Sequence, residues 1–120
     1  MQQKTILIYG LNPAQKLTLG LLSQQAGIRL KTLTDREIMH PIGALLSGKD
    51  LPDMPAFPLT GKYALLDGFQ GQEQIGTDLI NQVVPGVIKA VRTRHNESWR
   101  FCDLCSEIQL EHRTMTGQNG

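Results

Sequence analysis

The sequence predicts an α/β fold, an α+β sandwich in which duplicated β-α-β-α halves share one four-stranded sheet. Short apolar runs at Thr5–Tyr9 and Tyr63–Leu66 precede a glycine and a helix-like pattern, which is typical of covered strands. A shift of 58 positions aligns Lys4–Thr34 with Lys62–Arg92 without a gap. Charged residues interrupt the second strand of each half, a common feature of edge strands. Strands 1 and 3 are therefore expected at the centre of the sheet.

The aligned halves, residues 4–47 and 62–112, share residues chiefly at apolar positions and at one turn glycine. The identical pairs are Lys4/Lys62, Leu7/Leu65, Gly10/Gly68, Leu21/Leu79, Gln24/Gln82 and Lys31/Lys89. Folding preserves such positions, so we interpret the pattern as an internal duplication. Two sheets satisfy it: a ferredoxin-like split βαβ arrangement, which we favour, and an all-parallel sheet of order 2-1-3-4.

The first predicted helix follows strand 1. Asn12 followed by Pro13 is a helix start, because asparagine caps free amides and proline fits the first helical position. Leucines at helical spacing indicate the buried face of this helix, and residues 25–27 end it. Those leucines are Leu17, Leu21 and Leu22.

The remainder of the first half is a strand and a short helix. Residues 28–31 alternate apolar and charged side chains, and Thr34–Glu37 matches a capping box. A short helix from His40 is expected to close at Gly48.

Residues 48–61 connect the halves, with Pro52, Pro55 and Pro58 at three-residue spacing. This spacing is typical of polyproline-II recognition segments, but a stiff surface connector, with Met54 and Phe57 packed inwards, is the simpler interpretation.

The second half repeats the strand–helix–strand order, and its last helix is predicted from Asn96 to His112. The third helix is marked by apolar residues at helical spacing, Ile75, Leu79, Ile80 and Val83. Residues 1–113 are expected to form a single domain, and the small polar residues of 114–120 predict a disordered tail.

Composition excludes several classes of protein. Of the 120 residues, 40% are hydrophobic and 19% charged, with a net charge of +1, which argues against a disordered or polybasic chain. No apolar run approaches the roughly 18 residues of a membrane span, and no signal peptide is evident. Two cysteines exclude a disulfide scaffold, so a cytoplasmic domain is expected.

Cys102 and Cys105 form a CxxC pair, which occurs in redox dithiols and zinc sites. Cys102 is expected well inside the last helix and close to acidic residues, a setting that does not stabilise a thiolate. His95 and His112 flank the pair symmetrically, but on a continuous helix Cys105 and His112 are about 10.5 Å apart along the axis, too far for one ion. We therefore expect structural cysteines and no metal.

Trp99 and a group of basic residues are the other candidate features. Trp99 gives the last helix a second apolar face, which packing or a partner would cover. The basic residues are Lys89, Arg92, Arg94, His95 and Arg100, with Arg29 and Lys31 on the equivalent strand. They are typical either of solvated edge charges or of an anion site. No grouping of residues has the spacing of a catalytic site.

The second half resembles the bacterial domain-of-unknown-function family DUF3783 over residues 63–112. The residues that carry the resemblance are Ala64–Phe69, Ile88–Val91, Thr93–Trp99, Leu104 and Glu111–His112. The resemblance implies a small cytoplasmic domain without an assigned reaction, and it groups four residues: Lys89, Thr93, Asn96 and Trp99. Glutamines replace expected acids after Gly68, and the CxxC lies outside the family pattern.

We therefore expect a non-enzymatic ligand-binding or protein-interaction module without a cofactor. The predicted ligand-binding residues are Lys89, Thr93, Asn96, Trp99 and Lys31. A small anionic ligand or a protein partner fits them, and neither a membrane nor nucleic acid does. A thiol redox enzyme or sensor using Cys102 and Cys105 is one alternative. A structural homo-oligomerisation domain, in the simplest case a homodimer, is the other.

Overall fold

The computed structural model describes the backbone of residues 3–116 and the side chains of residues 3–112. The described residues form four strands, four α-helices and one 3-10 turn. The strands are β1 (Thr5–Tyr9), β2 (Arg29–Thr32), β3 (Tyr63–Asp67) and β4 (Ile88–Val91). The helices are α1 (Pro13–Gln25), α2 (Ile42–Ser47), α3 (Glu73–Val83) and α4 (Phe101–Thr116), and the 3-10 turn is Glu37–Met39.

The sheet has the order β2-β1-β3-β4, so the prediction that strands 1 and 3 are central is confirmed. β1 and β2 are parallel, β3 and β4 are parallel, and the central pair β1–β3 is antiparallel. Each βαβ unit is therefore unsplit, unlike the favoured ferredoxin-like arrangement. The order is that of the all-parallel alternative, but the sheet is mixed.

The direction of β3 follows from the path of the chain after β2. The short α2 ends at Ser47, and the connector of residues 48–61 then leads the chain to the edge of the sheet where β1 ends. The chain does not return to the start of β1 before the third strand begins. It enters β3 at Tyr63, which pairs with Tyr9 at the end of β1.

Helices cover both faces of the sheet, giving three layers and two apolar cores. One core lies beneath α1 and α3, and contains Ile6, Ile8, Leu19, Leu66, Phe69 and Ile80. The other lies beneath the 3-10 turn, α2 and α4, and contains Leu7, Leu65, Ile38, Leu45, Phe101 and Cys105. The near-continuous burial of β1 and β3 reflects coverage on both faces.

A local two-fold axis relates the halves. The 58-position shift maps Leu7 onto Leu65, and these two residues pair directly in the antiparallel ladder. Both side chains are 0% exposed. The axis therefore passes through this pair, at the centre of the sheet.

The repeat does not run without a gap. Thr5 pairs with Arg29 in the first half, whereas its equivalent Tyr63 pairs with Ile88, one position further along than the aligned Val87. The turn before β4 thus contains one extra residue, and from there on the halves match with a shift of 59. The structural equivalent of Lys31 is therefore Ala90, not the predicted Lys89.

The buried face of α1 differs from the prediction. Leu17 is 67% and Leu21 54% exposed, while Leu19 and Ser23 face the core. On α3, Ile80 is buried as expected but Ile75 is exposed. The start of α1 is as predicted: Asn12 and Gln15 form a capping box, with Pro13 at the first position.

The last helix begins later than predicted and ends later. α4 starts at Phe101, because residues 94–98 form turns after β4 and Arg100 makes an isolated bridge with Pro41. Its backbone continues to Thr116, beyond the predicted domain limit, and residues 117–120 of the predicted tail lie outside the described chain. In the connector, Met54 is partly buried as expected but Phe57 is exposed.

Candidate functional site: two equivalent clefts

The loops before α2 and α4 meet at the local two-fold axis. The backbone N–H of Ile42 donates to the carbonyl of Trp99 over 2.8 Å, and that of Phe101 donates to the carbonyl of His40 over 3.1 Å. The two bonds are related by the local symmetry, since a shift of 59 maps His40 onto Trp99 and Ile42 onto Phe101. The two loops therefore bind each other through a symmetric pair of hydrogen bonds.

Each loop begins with the same threonine-based motif. The predicted box of Thr34 and Glu37 is present, with Thr34 N–H donating to the Glu37 carboxylate over 3.0 Å and Glu37 N–H to the Thr34 hydroxyl over 3.2 Å. Thr93 and Asn96 make the equivalent bonds at 2.8 and 3.1 Å. They close the turns before α4 rather than capping the helix itself.

Two clefts, each of about 320 Å³, lie beside these loops. The basic cleft is lined by residues that include Arg29, Lys31, Arg36, Glu37, His40, Leu45 and Lys49. The aromatic cleft is lined by residues that include Ala90, Thr93, His95, Asn96, Trp99, Leu104, Glu107, Ile108 and Glu111. Six of the positions named here correspond under the 59-residue shift. The halves therefore build one cleft twice and line it with different chemistry.

Four cationic side chains line the basic cleft. Lys31 lies 3.4 Å from Glu37, and the Arg36 guanidinium donates to the carbonyl of Met54 over 2.9 Å. Arg29 and Lys49 are exposed and make no side-chain hydrogen bond or ion pair with another described residue. Two cations of the cleft therefore remain available to a ligand.

The acidic groups of the basic cleft neutralise it only in part. Both oxygens of Glu37 are engaged, one by the backbone of Thr34 and the other by Lys31. Asp50 and Asp53 also line the cleft, and neither forms an ion pair within the described chain. The glycine at position 48 has φ 74°, and a Cβ there would lie 3.2 Å from the Arg29 guanidinium. Glycine thus permits both the end of α2 and the approach of Arg29.

The predicted ligand-binding residues do not form one site. Thr93, Asn96 and Trp99 line the aromatic cleft together. The Lys89 ammonium instead donates to Asn81 on α3 and to the carbonyl of Val87, each over 2.9 Å, and burial lowers its pKa. Lys31 lies on the opposite edge strand, in the basic cleft.

The extra residue before β4 explains this separation. Lys31 pairs with Leu7 and contacts Glu37 on the α2–α4 side, whereas Lys89 pairs with Ala64 and contacts α3. A one-residue change of register moves a side chain to the other face of a sheet. The two lysines therefore face opposite sides.

The predicted basic group near β4 is largely paired internally. Arg92 donates to Asp67 over 2.8 Å and to Glu97 over 2.9 Å, and the hydrogen bond with Asp67 raises its pKa. Arg100 donates to Asp103 over 2.9 Å. Sequence reasoning named Arg29 and Lys31 but missed Arg36 and Lys49. A 59-residue spacing could have pointed to both, because it makes Arg36 equivalent to His95 and Lys49 equivalent to Ile108.

The cysteines are buried in the core beneath α4. Cys102 is the second residue of α4, near its N-terminus rather than well inside the helix as predicted. Burial is nevertheless the main cause that raises the pKa of both thiols, followed by Asp103 for Cys102 and by Cys102 for Cys105. Cys105 faces the core with Phe101, Leu104 and Ile108, as the sequence predicts.

Among the side chains of residues 3–112 we find no cluster of three or more metal-ligating groups. No helix of the described chain has the length and apolar character needed to cross a bilayer. The resemblance to DUF3783 stays a prediction from the sequence. Comparison with protein-family models, curated proteins and solved structures finds no match to this chain.

Proposed function

We propose that the chain is a non-enzymatic binding module whose basic cleft holds a small anion with a phosphate or carboxylate group. One observation carries this proposal. Arg29 and Lys49, which have no side-chain partner among the described residues, lie beside Lys31 and Arg36 in one concavity. Guanidinium and ammonium groups bind such anions through charge-assisted hydrogen bonds. A cleft of about 320 Å³ is at the small end of ligand sites.

The scaffold supports this role by holding the cations in place. Arg36 is held by the carbonyl of Met54, and Lys31 by a glutamate that is itself fixed by the Thr34 backbone. His40 is 8% exposed, and its Nε2 lies 2.9 Å from the carbonyl of Pro52, which fixes the connector beside the cleft. A preorganised site loses less conformational entropy on binding.

The redox alternative has less support from the geometry. A reactive dithiol needs a thiolate at neutral pH, whereas burial raises the pKa of both Cys102 and Cys105. Outside its own helix Cys102 Sγ donates to the Met39 sulfur over 3.8 Å, and a thioether is only a weak acceptor that cannot serve as a base for the thiol. We therefore prefer the binding role.

A thermal-shift titration with inorganic phosphate, pyrophosphate and di- and tricarboxylates tests the proposal, with chloride held at equal ionic strength. An anion at about 100 times its dissociation constant stabilises the fold by about 2.7 kcal/mol, which raises Tm by about 10 °C. The double variant Arg29→Gln, Lys49→Gln should lose that shift. Arg94→Gln, which also removes an exposed arginine, is the control and should keep it.

Two results would contradict the proposal. One is the absence of a shift with every anion at 10 mM or above, on the order of the weakest useful affinity. The other is a shift that the double variant retains in full.

A further inference from the structure

The basic half of the molecule is covered by part of its own chain. Three backbone groups of the connector form hydrogen bonds with the loop before α2. Phe57 N–H donates to the Asp35 carbonyl over 2.9 Å, Met54 accepts from Arg36, and Pro52 lies against His40. This stretch, residues 51–58, contains the prolines at 52, 55 and 58. A proline-rich segment with no helix or strand therefore lies across Asp35, Arg36 and His40.

Beyond the paired loop before α2, no segment of the described chain is bonded across the equivalent surface of the second half. This surface comprises Arg94, His95 and Trp99, the counterparts of Asp35, Arg36 and His40. The side chains of Arg94 and His95 are exposed, and neither residue bonds another segment of the described chain. His95 rests edge-on against the partly exposed Trp99, with ring centroids 5.4 Å apart.

This difference in coverage arises from the helices that follow the two loops. α2 stops at Ser47, because Gly48 adopts the left-handed conformation and turns the chain into the connector. Glu107 stands at the equivalent position in α4, which continues to Thr116. The second half thus keeps the docking surface but uses its own chain to extend the helix.

We propose that the aromatic cleft, with Trp99 and His95, binds an extended proline-rich segment of another protein that carries a basic residue. The chain's own connector shows that this loop surface accepts a proline-rich segment through the backbone groups of that segment. Aromatic grooves favour proline-rich segments, because proline preorganises the extended chain and packs against the rings. Replacement of His40 by Trp99 enlarges the aromatic surface at the equivalent position.

The charges that line the two clefts indicate that the bound segment carries a basic residue. The connector brings Asp50 and Asp53 to a cleft rich in cations. In the aromatic cleft the charges are reversed: Glu107 and Glu111 lie one helical turn apart, both are exposed, and neither forms an ion pair with a described residue. A lysine or arginine beside Trp99 would meet both carboxylates and an aromatic face.

The probe is a peptide with the sequence of residues 50–59 in which both aspartates are replaced by lysine. Trp99 is the only tryptophan of the chain and the peptide has none, so its fluorescence reports binding directly. We expect saturable binding at least about ten-fold tighter than that of the unaltered connector peptide. The double variant Glu107→Gln, Glu111→Gln should lose this preference.

A matched control removes two acidic charges from the other layer, in Glu73→Gln, Asp78→Asn, and should keep the preference. Calorimetry with Trp99→Leu and with the exposed His95→Ala covers the case in which a tryptophan variant loses stability. Both variants should weaken binding. The proposal is overturned if neither peptide binds, if both bind equally, or if binding survives in both variants.

Discussion

The two halves of this chain place different side chains on the same backbone frame. They share the paired central leucines, the threonine boxes and the exchanged backbone bonds of the loops before α2 and α4. They differ in the cleft, where the replacements from first half to second half are Lys31 by Ala90, Arg36 by His95, His40 by Trp99 and Lys49 by Ile108. The shared positions hold the fold and the differing positions define the surface chemistry.

The halves also balance core volume differently. In the second half Phe69 fills the space above α3, and a Cβ on Gly76 would lie 2.9 Å from its ring. In the first half the smaller Leu11 is accompanied by Leu19, which is 0% exposed on α1. Leu19 and Gly76 are each the first of the two buried residues of their helix. Close packing is thus reached with phenylalanine and glycine in the second half and with two leucines in the first.

The largest expected effect tests the symmetry at its axis. Leu7→Ala and Leu65→Ala each remove a fully buried side chain from the same central layer, so each should cost about 3 kcal/mol of unfolding free energy. Urea unfolding measures both. Because Leu7 and Leu65 pair directly and share the same surroundings, the two costs should agree to within about 1 kcal/mol.

Leu17→Ala serves as the control, since that side chain is 67% exposed and should cost less than about 0.5 kcal/mol. If one axis variant loses 3 kcal/mol and the other almost nothing, the halves do not share the axis equally.

The central strands could be predicted from the sequence because their pattern is local. A short apolar run followed by glycine identifies β1 and β3, and lysine marks the edges. The buried face of α1 could not be predicted, since leucines occur at 17, 19, 21 and 22, on both sides of the helix. The antiparallel central pair depends on the path of the connector, which no local pattern encodes.

The candidate site was predicted in part. Thr93, Asn96 and Trp99 do line one cleft, because they are close in sequence. Lys31 and Lys89 do not join them as a pair, because a gapless alignment conceals the extra residue before β4. The extra residue moves the side chains that follow it in β4 to the opposite face of the sheet. The basic cleft depends on the connector folding back, a long-range contact.

A second test compares the two threonine boxes. Asn96 is 8% exposed, accepts from Thr93 N–H and donates to the Val91 carbonyl over 3.0 Å. Asn96→Ala leaves these groups without partners and should cost about 2 kcal/mol. Glu37 is more exposed, so Glu37→Ala should cost about 0.5 kcal/mol.

Chemical denaturation of both variants measures the difference, and Asn96→Asp refines it. At neutral pH the aspartate keeps the acceptor for Thr93 but places a carboxylate oxygen against the Val91 carbonyl, so its cost should be at least that of Asn96→Ala. Equal costs for Asn96→Ala and Glu37→Ala would show that the buried box is no stronger than the exposed one.

The smallest expected effect concerns a position that is leucine in one half and cysteine in the other. Cys105 is the counterpart of Leu46 and is 1% exposed, and its burial raises the thiol pKa far above the ordinary 9.0. The folded state therefore keeps the proton that the unfolded chain releases above pH 9. The stability due to this thiol is complete below pH 9 and falls as the pH rises further.

At pH 10 this loss should be about 1 kcal/mol. Burial also raises the pKa of Tyr9 and lowers that of Lys89, so the measured quantity is the difference between wild type and Cys105→Ala, which share both groups. Between pH 8 and pH 10 the unfolding free energy of the wild type should fall by about 1 kcal/mol relative to that of Cys105→Ala. Ser106→Ala, an exposed neighbour, should show no such change. A constant difference, together with rapid thiol alkylation of the folded protein at pH 7.5, would mean that Cys105 is ionisable in the fold. The cysteine would then be a functional departure from the apolar position of the first half, and the redox role would replace the packing role.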